Sequence, residues 1–457
     1  MKKMNRIVSL LAALCIALSC LAGCTTGGSN ETTAPAADVI DYAGTTVLDM
    51  NSTDTVKYEL PVEKIKNFVD GDTTHFYVPN SIADNGVLKA RYLGVNTPES
   101  TGKIEEWGKK ASTFTKTQLS SATSVVLESD DLNWNLDSTG GRYLVWVWYK
   151  PEGSATYRNL NIELLQNGLA HANKAAENRY GETCMAALAQ AKAQKLNMYS
   201  GQKDPDFYYG GAVPVTLKHL RTNIELYENM KVAFEGVVTY EAPQTVYVEE
   251  YDEETDMYYG MTVYYGYNLT GKGLDILKPG NRVHIVGSVQ YYATAGTWQV
   301  SDIKYANMRP DDPDNVQLIS QGHTAANRVT EPAVFNSTTV DVEVLESLED
   351  AEATTIKTFD YGHLSLGTSI SFENIRVSSV YTTSNEELTS YGAMTLTCRQ
   401  FAQTIDVRTV VLYDDNGEMI TADAYEGKTI NVRGIVDYYQ GKYQIKVFSK
   451  DDITVLD

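Results

Sequence analysis

A fourteen-residue pattern that occurs twice constrains this chain more than any other feature. PGNRVHIVGSVQYY, from Pro279, aligns without a gap on EGKTINVRGIVDYY, from Glu426. Gly280 matches Gly427, Gly287 matches Gly434, and Tyr291-Tyr292 matches Tyr438-Tyr439. Downstream, TWQVSDI echoes KYQIKVF; upstream, VAFEGVVT from Val232 loosely echoes ISFENIRV from Ile370. Self-similarity over such a span means one supersecondary unit used twice. Short Val- and Tyr-rich runs separated by turn residues make that unit a β-module. A loop-like stretch near Asn315 divides the copies, which predicts modules over 206–315 and 316–457.

The remaining chain must supply at least one more domain, since 457 residues exceed what a single ordinary core holds. Residues 1–24 stand outside that count. Lys2, Lys3 and Arg6 form a basic start, an apolar run extends from Ile7 to Leu21, and Leu21-Ala22-Gly23-Cys24 closes it. This predicts a secretory signal, too short and wrongly flanked for a membrane span. Because it ends in cysteine it resembles a bacterial lipoprotein signal, which implies lipidation of Cys24 and an anchor on the extracellular face of the cell membrane. Residues 25–56, rich in Thr, Ser, Gly, Ala and Asp, predict a flexible linker, since they offer little apolar surface to offset ordering entropy.

Cysteine usage excludes a disulfide framework. Cys15 and Cys20 leave with the signal, and Cys184 and Cys398 remain, far apart and without zinc-type spacing. The net charge of −21 is uneven. Residues 57–205 carry 17 basic and 17 acidic side chains, whereas 206–457 carry 18 and 37. A polyanion is tolerated by the first region and repelled by the second.

Between Lys57 and Gly201, HFYVP, VLKARYLGV, SVVLES and RYLVWVWYK read as strands. Trp107, Ala111 and Phe114 share a helical face; LNIELLQNGLA closes with Gly168; CMAALAQAKAQKLNMYS is rich in helix formers. The fold class is therefore α+β: a small barrel-like sheet with helices packed on it, followed by two mainly β domains. Each repeat copy, with about five strands and a mid-strand glycine, resembles the OB-fold, a five-stranded barrel that often binds oligonucleotides. Single-strand binders pair aromatics with basic grooves. Here EEYDEETDMYY at 249–259 sets acid beside tyrosine, so the acidic half is expected to meet a protein or cell-wall partner, its tyrosines serving mainly as sheet packing.

The residues that could carry chemistry lie earlier. NFVDGDTTHFYV places Asp70 and Asp72 around Gly71 at the mouth of a strand. Arg91 and Glu99 flank Asn96 in RYLGVNTPES, and Arg142 sits in STGGRYLVWVW. In order, DGDT, R-x-x-x-x-N-T-P-E, GGR-x-L-V-W-V-W, LQNGLAHAN and AALAQAKAQKLNMYS resemble the motifs of the staphylococcal (micrococcal) nuclease, or thermonuclease-like, family, over roughly residues 60–201. The resemblance implies an OB-type five-stranded barrel with three helices over 57–205 and calcium-dependent cleavage of DNA and RNA. It assigns Arg91 and Arg142 to the phosphate, a task suited to a guanidinium fork that stays charged, and Glu99 to the attacking water. It assigns calcium to Asp72, Asn96 and the backbone carbonyl of Thr97, with Asp70 behind them in a supporting shell.

Asn96 departs from the commoner family aspartate. An amide keeps the oxygen and removes a negative charge, which predicts weaker calcium binding, tolerable outside the cell where calcium modules work near 10⁻⁴–10⁻³ M. Gly140-Gly141 replaces a tyrosine-glycine pair, and HANKAAEN after Gly168 offers no tyrosine for base stacking. The alternative reading is a weakened or inactive nuclease-like module that binds nucleic acid, protein or cell wall without cutting.

Overall fold

Alternating apolar residues make strands, and three sets of five strands close into three barrels of one topology. The computed structural model describes residues 39–267, 269–386, 390–439 and 441–457; the signal sequence, Cys24 and residues 25–38 lie outside them. In the first barrel the opening strand bends through a 3₁₀ turn, Lys57–Leu60 continuing as Ile65–Asp70. Its two halves pair with different neighbours, Ala122–Glu128 and Thr73–Tyr77. Val87–Tyr92 pairs in parallel with Tyr143–Pro151, which returns to Ala122–Glu128 and closes the sheet in the order 1-2-3-5-4-1. The second barrel uses Lys231–Ala242, Thr245–Asp252, Met257–Tyr264, Arg282–Tyr292 and Thr297–Ser301 in the same order, and the third Ser369–Thr382, Met394–Gln400, Gln403–Thr409, Thr429–Tyr439 and Lys442–Val447. These are OB-type barrels.

The repeated mid-strand glycine has a steric cause. A Cβ on Gly287 would lie 2.5 Å from the Ser301 carbonyl oxygen, and one on Gly434 would lie 2.4 Å from that of Lys446. Both positions let the fourth strand press against the fifth at a barrel corner.

Among the described residues, three helices of seven or more residues cover the first barrel, Gly108–Ser120, Leu160–Gln166 and Gly181–Ala193. Trp107, expected on the face of the first, instead precedes it in the left-handed region, at φ 69°. Asn159 caps the second, its Oδ1 accepting from Ile162 N at 3.1 Å. That helix sends the wholly buried Asn161 into the sheet. Its Oδ1 accepts from Val147 N at 2.9 Å, and its Nδ2 donates to Leu93 O at 2.9 Å and Val145 O at 3.1 Å. The core of this barrel includes Leu88, Tyr92, Val145, Trp146, Leu164 and Leu165.

Two expected boundaries move. Residues 41–56, read as part of a linker, pack on the first barrel: Ala43 is fully buried, Arg158 donates to Asp41 at 2.6 and 2.9 Å, and Thr55 donates to the buried Glu128 at 2.8 Å. Polar partners supplied by the barrel order this stretch, which apolar content alone would not. The second barrel also runs past residue 315, since Gln317–Ser320 pairs with Arg282–Tyr292. The hairpin Thr339–Leu345/Thr354–Asp360 contributes Val342, Val344 and Phe359 to the second barrel's core.

Buried charges join the last two barrels. Glu249 accepts from Ala326 N at 2.8 Å and from Ser369 N at 2.7 Å, and the buried Arg221 donates to Gly260 O at 2.5 Å and Leu366 O at 3.0 Å. Asn161→Leu should lower the stability of the first barrel by about 3 kcal/mol, because three backbone groups lose their buried partner. Tryptophan fluorescence reports on it, as Trp107, Trp134, Trp146 and Trp148 lie there and only Trp298 elsewhere. An unchanged midpoint would contradict the assignment.

Candidate active site

The turn between the first two long strands creates the site. Asp70 and Thr73 close the hairpin, and Thr73 is also the lateral neighbour of Arg91. Gly71 between the two aspartates has no room for a side chain: a Cβ would lie 2.9 Å from Thr97 and from Ala111. Its carbonyl accepts from Thr115 Oγ1 at 2.5 Å, which ties the turn to the first helix. The backbone of Asp72 is held as well, its carbonyl accepting from Tyr92 N at 2.9 Å.

The Asp72 carboxylate, 5% exposed, organises what lies around it. Oδ2 accepts from Thr97 N at 2.8 Å and pairs with Arg91 Nη1, while Oδ1 accepts from Thr73 Oγ1 at 3.0 Å. The other terminal nitrogen of Arg91 donates to Asn96 Oδ1 at 2.6 Å. One guanidinium thus bridges the two side chains that the sequence marks as metal ligands. A buried carboxylate needs such partners to offset its desolvation.

Asp70 meets the same segment three residues further on. Its Oδ1 accepts from Ser100 Oγ at 2.8 Å, Ser100 N at 3.2 Å and Gly71 N at 2.8 Å. Burial, then a hydrogen bond to Glu99 and the charge of Glu99, push its carboxyl up to about 8, against the weaker opposing pull of Ser100 and Gly71. A second carboxyl in the same site disfavours the charged form, so Asp70 keeps its proton to higher pH.

Arg142 immediately precedes the strand beside that of Arg91; the two strands pair in parallel, with Arg91 level with Leu144. Arg142 Nε donates to Asp137 Oδ2 at 2.7 Å. Although burial pushes the Asp137 carboxyl up, hydrogen bonds from Thr139 and Arg142 and the Arg142 charge hold it below the usual range. Asn96 faces His171 across a two-residue ladder, and Tyr199 OH lies 3.3 Å from His171 Nδ1.

The structure therefore brings Asp70, Asp72, Arg91, Asn96, Thr97 and Glu99 together, while Arg142 is held by Asp137 at the adjacent strand start. Sequence reading missed Ser100, Thr115, Asp137 and His171. Only Asp137 had a local signal, an aspartate opening the DSTGG turn. Tyr199 supplies an aromatic ring in this region that HANKAAEN lacks.

The candidate metal donors are all oxygen: the Asp72 carboxylate, the Asn96 amide and the Thr97 carbonyl. The buried Thr97 Oγ1 adds an oxygen with no hydrogen-bond partner. This chemistry fits a hard cation such as calcium. It is poor in charge, and among the described residues no three His, Cys, Asp or Glu side chains stand together as a metal cluster.

The raised Asp70 carboxyl has a linkage consequence. Between about pH 4 and 8 the folded state binds more protons than the unfolded state, so stability falls as pH rises. Asp70→Asn should flatten that fall. Denaturation at pH 5 and 8 without added calcium measures it, and an equal fall in both proteins would contradict the raised Asp70 carboxyl.

Comparison with curated proteins gives no match to this chain. Residues 89–201 match the family model described as staphylococcal nuclease homologue. That span holds Arg91, Asn96, Thr97, Glu99 and Arg142, and the strands bearing Asp70 and Asp72 close the same barrel. The chain therefore carries a staphylococcal nuclease homologue domain, an OB-type barrel with helices, joined to two further OB-type barrels.

Proposed function

We propose that this protein hydrolyses phosphodiester bonds of extracellular DNA and RNA with calcium, while tethered to the outer face of a bacterial membrane through lipidated Cys24. The observation that carries the reading is the Arg91 guanidinium fixed between Asp72 and Asn96, beside a paired Asp70 and Glu99. A phosphodiester is an anion that gains further negative charge as it becomes five-coordinate. A cation held rigid before the reaction stabilises that charge without reorganising.

A guanidinium has five N–H donors, so Arg91 retains donors for phosphate oxygens after serving Asp72 and Asn96. Arg142 contributes the second fork once Asp137 yields part of it. Water attacks phosphorus and loses its proton to the Glu99 carboxylate. The bond to the leaving oxygen breaks, and that oxygen is protonated from solvent. Asp70, fixed by Ser100, sets where Glu99 stands. Asp72, Asn96 and the Thr97 carbonyl are the residues that would hold calcium. When bound, calcium supplies positive charge to the phosphate and to the water.

The acidic barrels repel nucleic acid over 206–457 and leave the neutral barrel to meet it. Their proposed roles are support for the active barrel and contact with protein or cell wall.

Arg91→Ala and Glu99→Gln should each lower cleavage by roughly 10²–10⁴-fold, measured on labelled DNA and RNA with calcium. Cleavage at wild-type rate in both would defeat the mechanism; binding with no cleavage by the wild type would favour the binding module. Asn96→Asp restores a charge to the donor set and should lower the calcium concentration for half-maximal activity by roughly tenfold. An identical calcium dependence would contradict the assignment of Asn96 as a ligand.

A further inference from the structure

The stretch that carries Glu99 runs on from Ser100 to Trp107, and much of its support comes from outside the first barrel. Gly102 N donates to Gln290 Oε1 at 3.3 Å, on the fourth strand of the second barrel. Lys103, ion-paired with Glu105 at 2.8 Å, also feels the charge of Asp302, just after the fifth strand of that barrel. The segment leaving the first barrel holds the rest: Trp107 N donates to the buried Asp204 Oδ2 at 2.5 Å, and Tyr209 OH donates to Glu106 Oε2 at 2.7 Å.

Gln290 is an expensive residue for that place. It is 6% exposed, its Oε1 also accepts from Ser301 Oγ, and its Nε2 has no partner among the described residues. A buried unsatisfied donor costs stability, so packing alone does not explain an amide there. The repeat provides an internal control. Gln290 aligns with Asp437, whose carboxylate accepts from Gln444 Nε2 at 2.8 Å within its own sheet. In both barrels this position bonds to the fifth strand of its own sheet, through Gln444 in the third and Ser301 in the second; in the second it also reaches across to the loop beside Glu99.

We infer that the second barrel is a positioning device for the nuclease loop, with Gln290, acting through Gly102, as a positioning residue for Glu99. The inference deepens the nuclease reading and rests on it. A loop tied at Gly102 and Trp107 keeps Glu99 aligned with Asp70, and catalysis is sensitive to misplacement of about 1 Å. Losing the tie should therefore act on turnover and leave substrate affinity, set by Arg91 and Arg142, in place.

The test uses the full chain with Gln290→Ala, Gln290→Glu, which keeps the acceptor, and Tyr292→Ala as an exposed control on the same strand. Hydrogen exchange of peptides over 99–107 should quicken by about tenfold in Gln290→Ala alone. On labelled DNA, kcat should fall by about tenfold with KM within roughly twofold, and Gln290→Glu should restore both readouts. Unchanged exchange in Gln290→Ala, or quickened exchange with unchanged kcat, overturns the inference. A wild type that cleaves nothing removes the nuclease reading instead, and exchange alone then decides whether Gln290 holds the loop.

Discussion

The site hangs on one buried carboxylate. Asp72 is held from the backbone by Tyr92 and through its side chain by Thr73, Thr97 and Arg91. Three strands and the turn after them meet at that group. Breaking such a pair by removing one partner leaves an uncompensated charge and is strongly destabilising, so the carboxylate fixes Arg91 as firmly as Arg91 fixes it. The same guanidinium reaches Asn96, which makes the cation proposed to bind phosphate and the candidate calcium donors one connected unit. Any cation that enters must share those oxygens with Arg91.

Different partners decide the division of labour between the two aspartates. Asp72 faces a permanent positive charge; Asp70 faces Glu99 and is pushed toward its neutral form. One turn of chain, with Gly71 pressed against Thr97 and Ala111, thereby supplies an electrostatic anchor and a carboxyl that keeps its proton to higher pH. Pro98 biases Thr97 toward extended backbone, and the Thr97 N–H donates to Asp72.

Much of this was legible in the residues because each motif is contiguous. DGDT, NTPE and GGR name their own side chains, and the repeated glycines at 287 and 434 announced two copies of one five-stranded barrel, which the structure bears out. What was not legible joins residues distant in sequence. Ser100 supports Asp70 across a separation of 30 residues, Thr115 holds Gly71 across 44, and Gln290 meets Gly102 across 188. Trp107 was misread because helical spacing records apolar faces and not where a backbone N–H is captured, here by Asp204. The 41–56 stretch was misread for a related reason: its order comes from Arg158 and Glu128, which composition within the stretch does not reveal.

A neutral barrel bearing the site, followed by two acidic barrels joined to each other by Glu249 and Arg221, combines a surface open to polyanions with one closed to them. The central claim is that this assembly cuts nucleic acid and needs calcium to do so. The most direct measurement is cleavage of labelled single- and double-stranded DNA and of RNA by the purified full chain across a calcium series, with a chelator control. The account predicts cleavage that vanishes with the chelator and returns with calcium in the millimolar range expected of extracellular calcium modules. Binding without cleavage at every calcium concentration would contradict it.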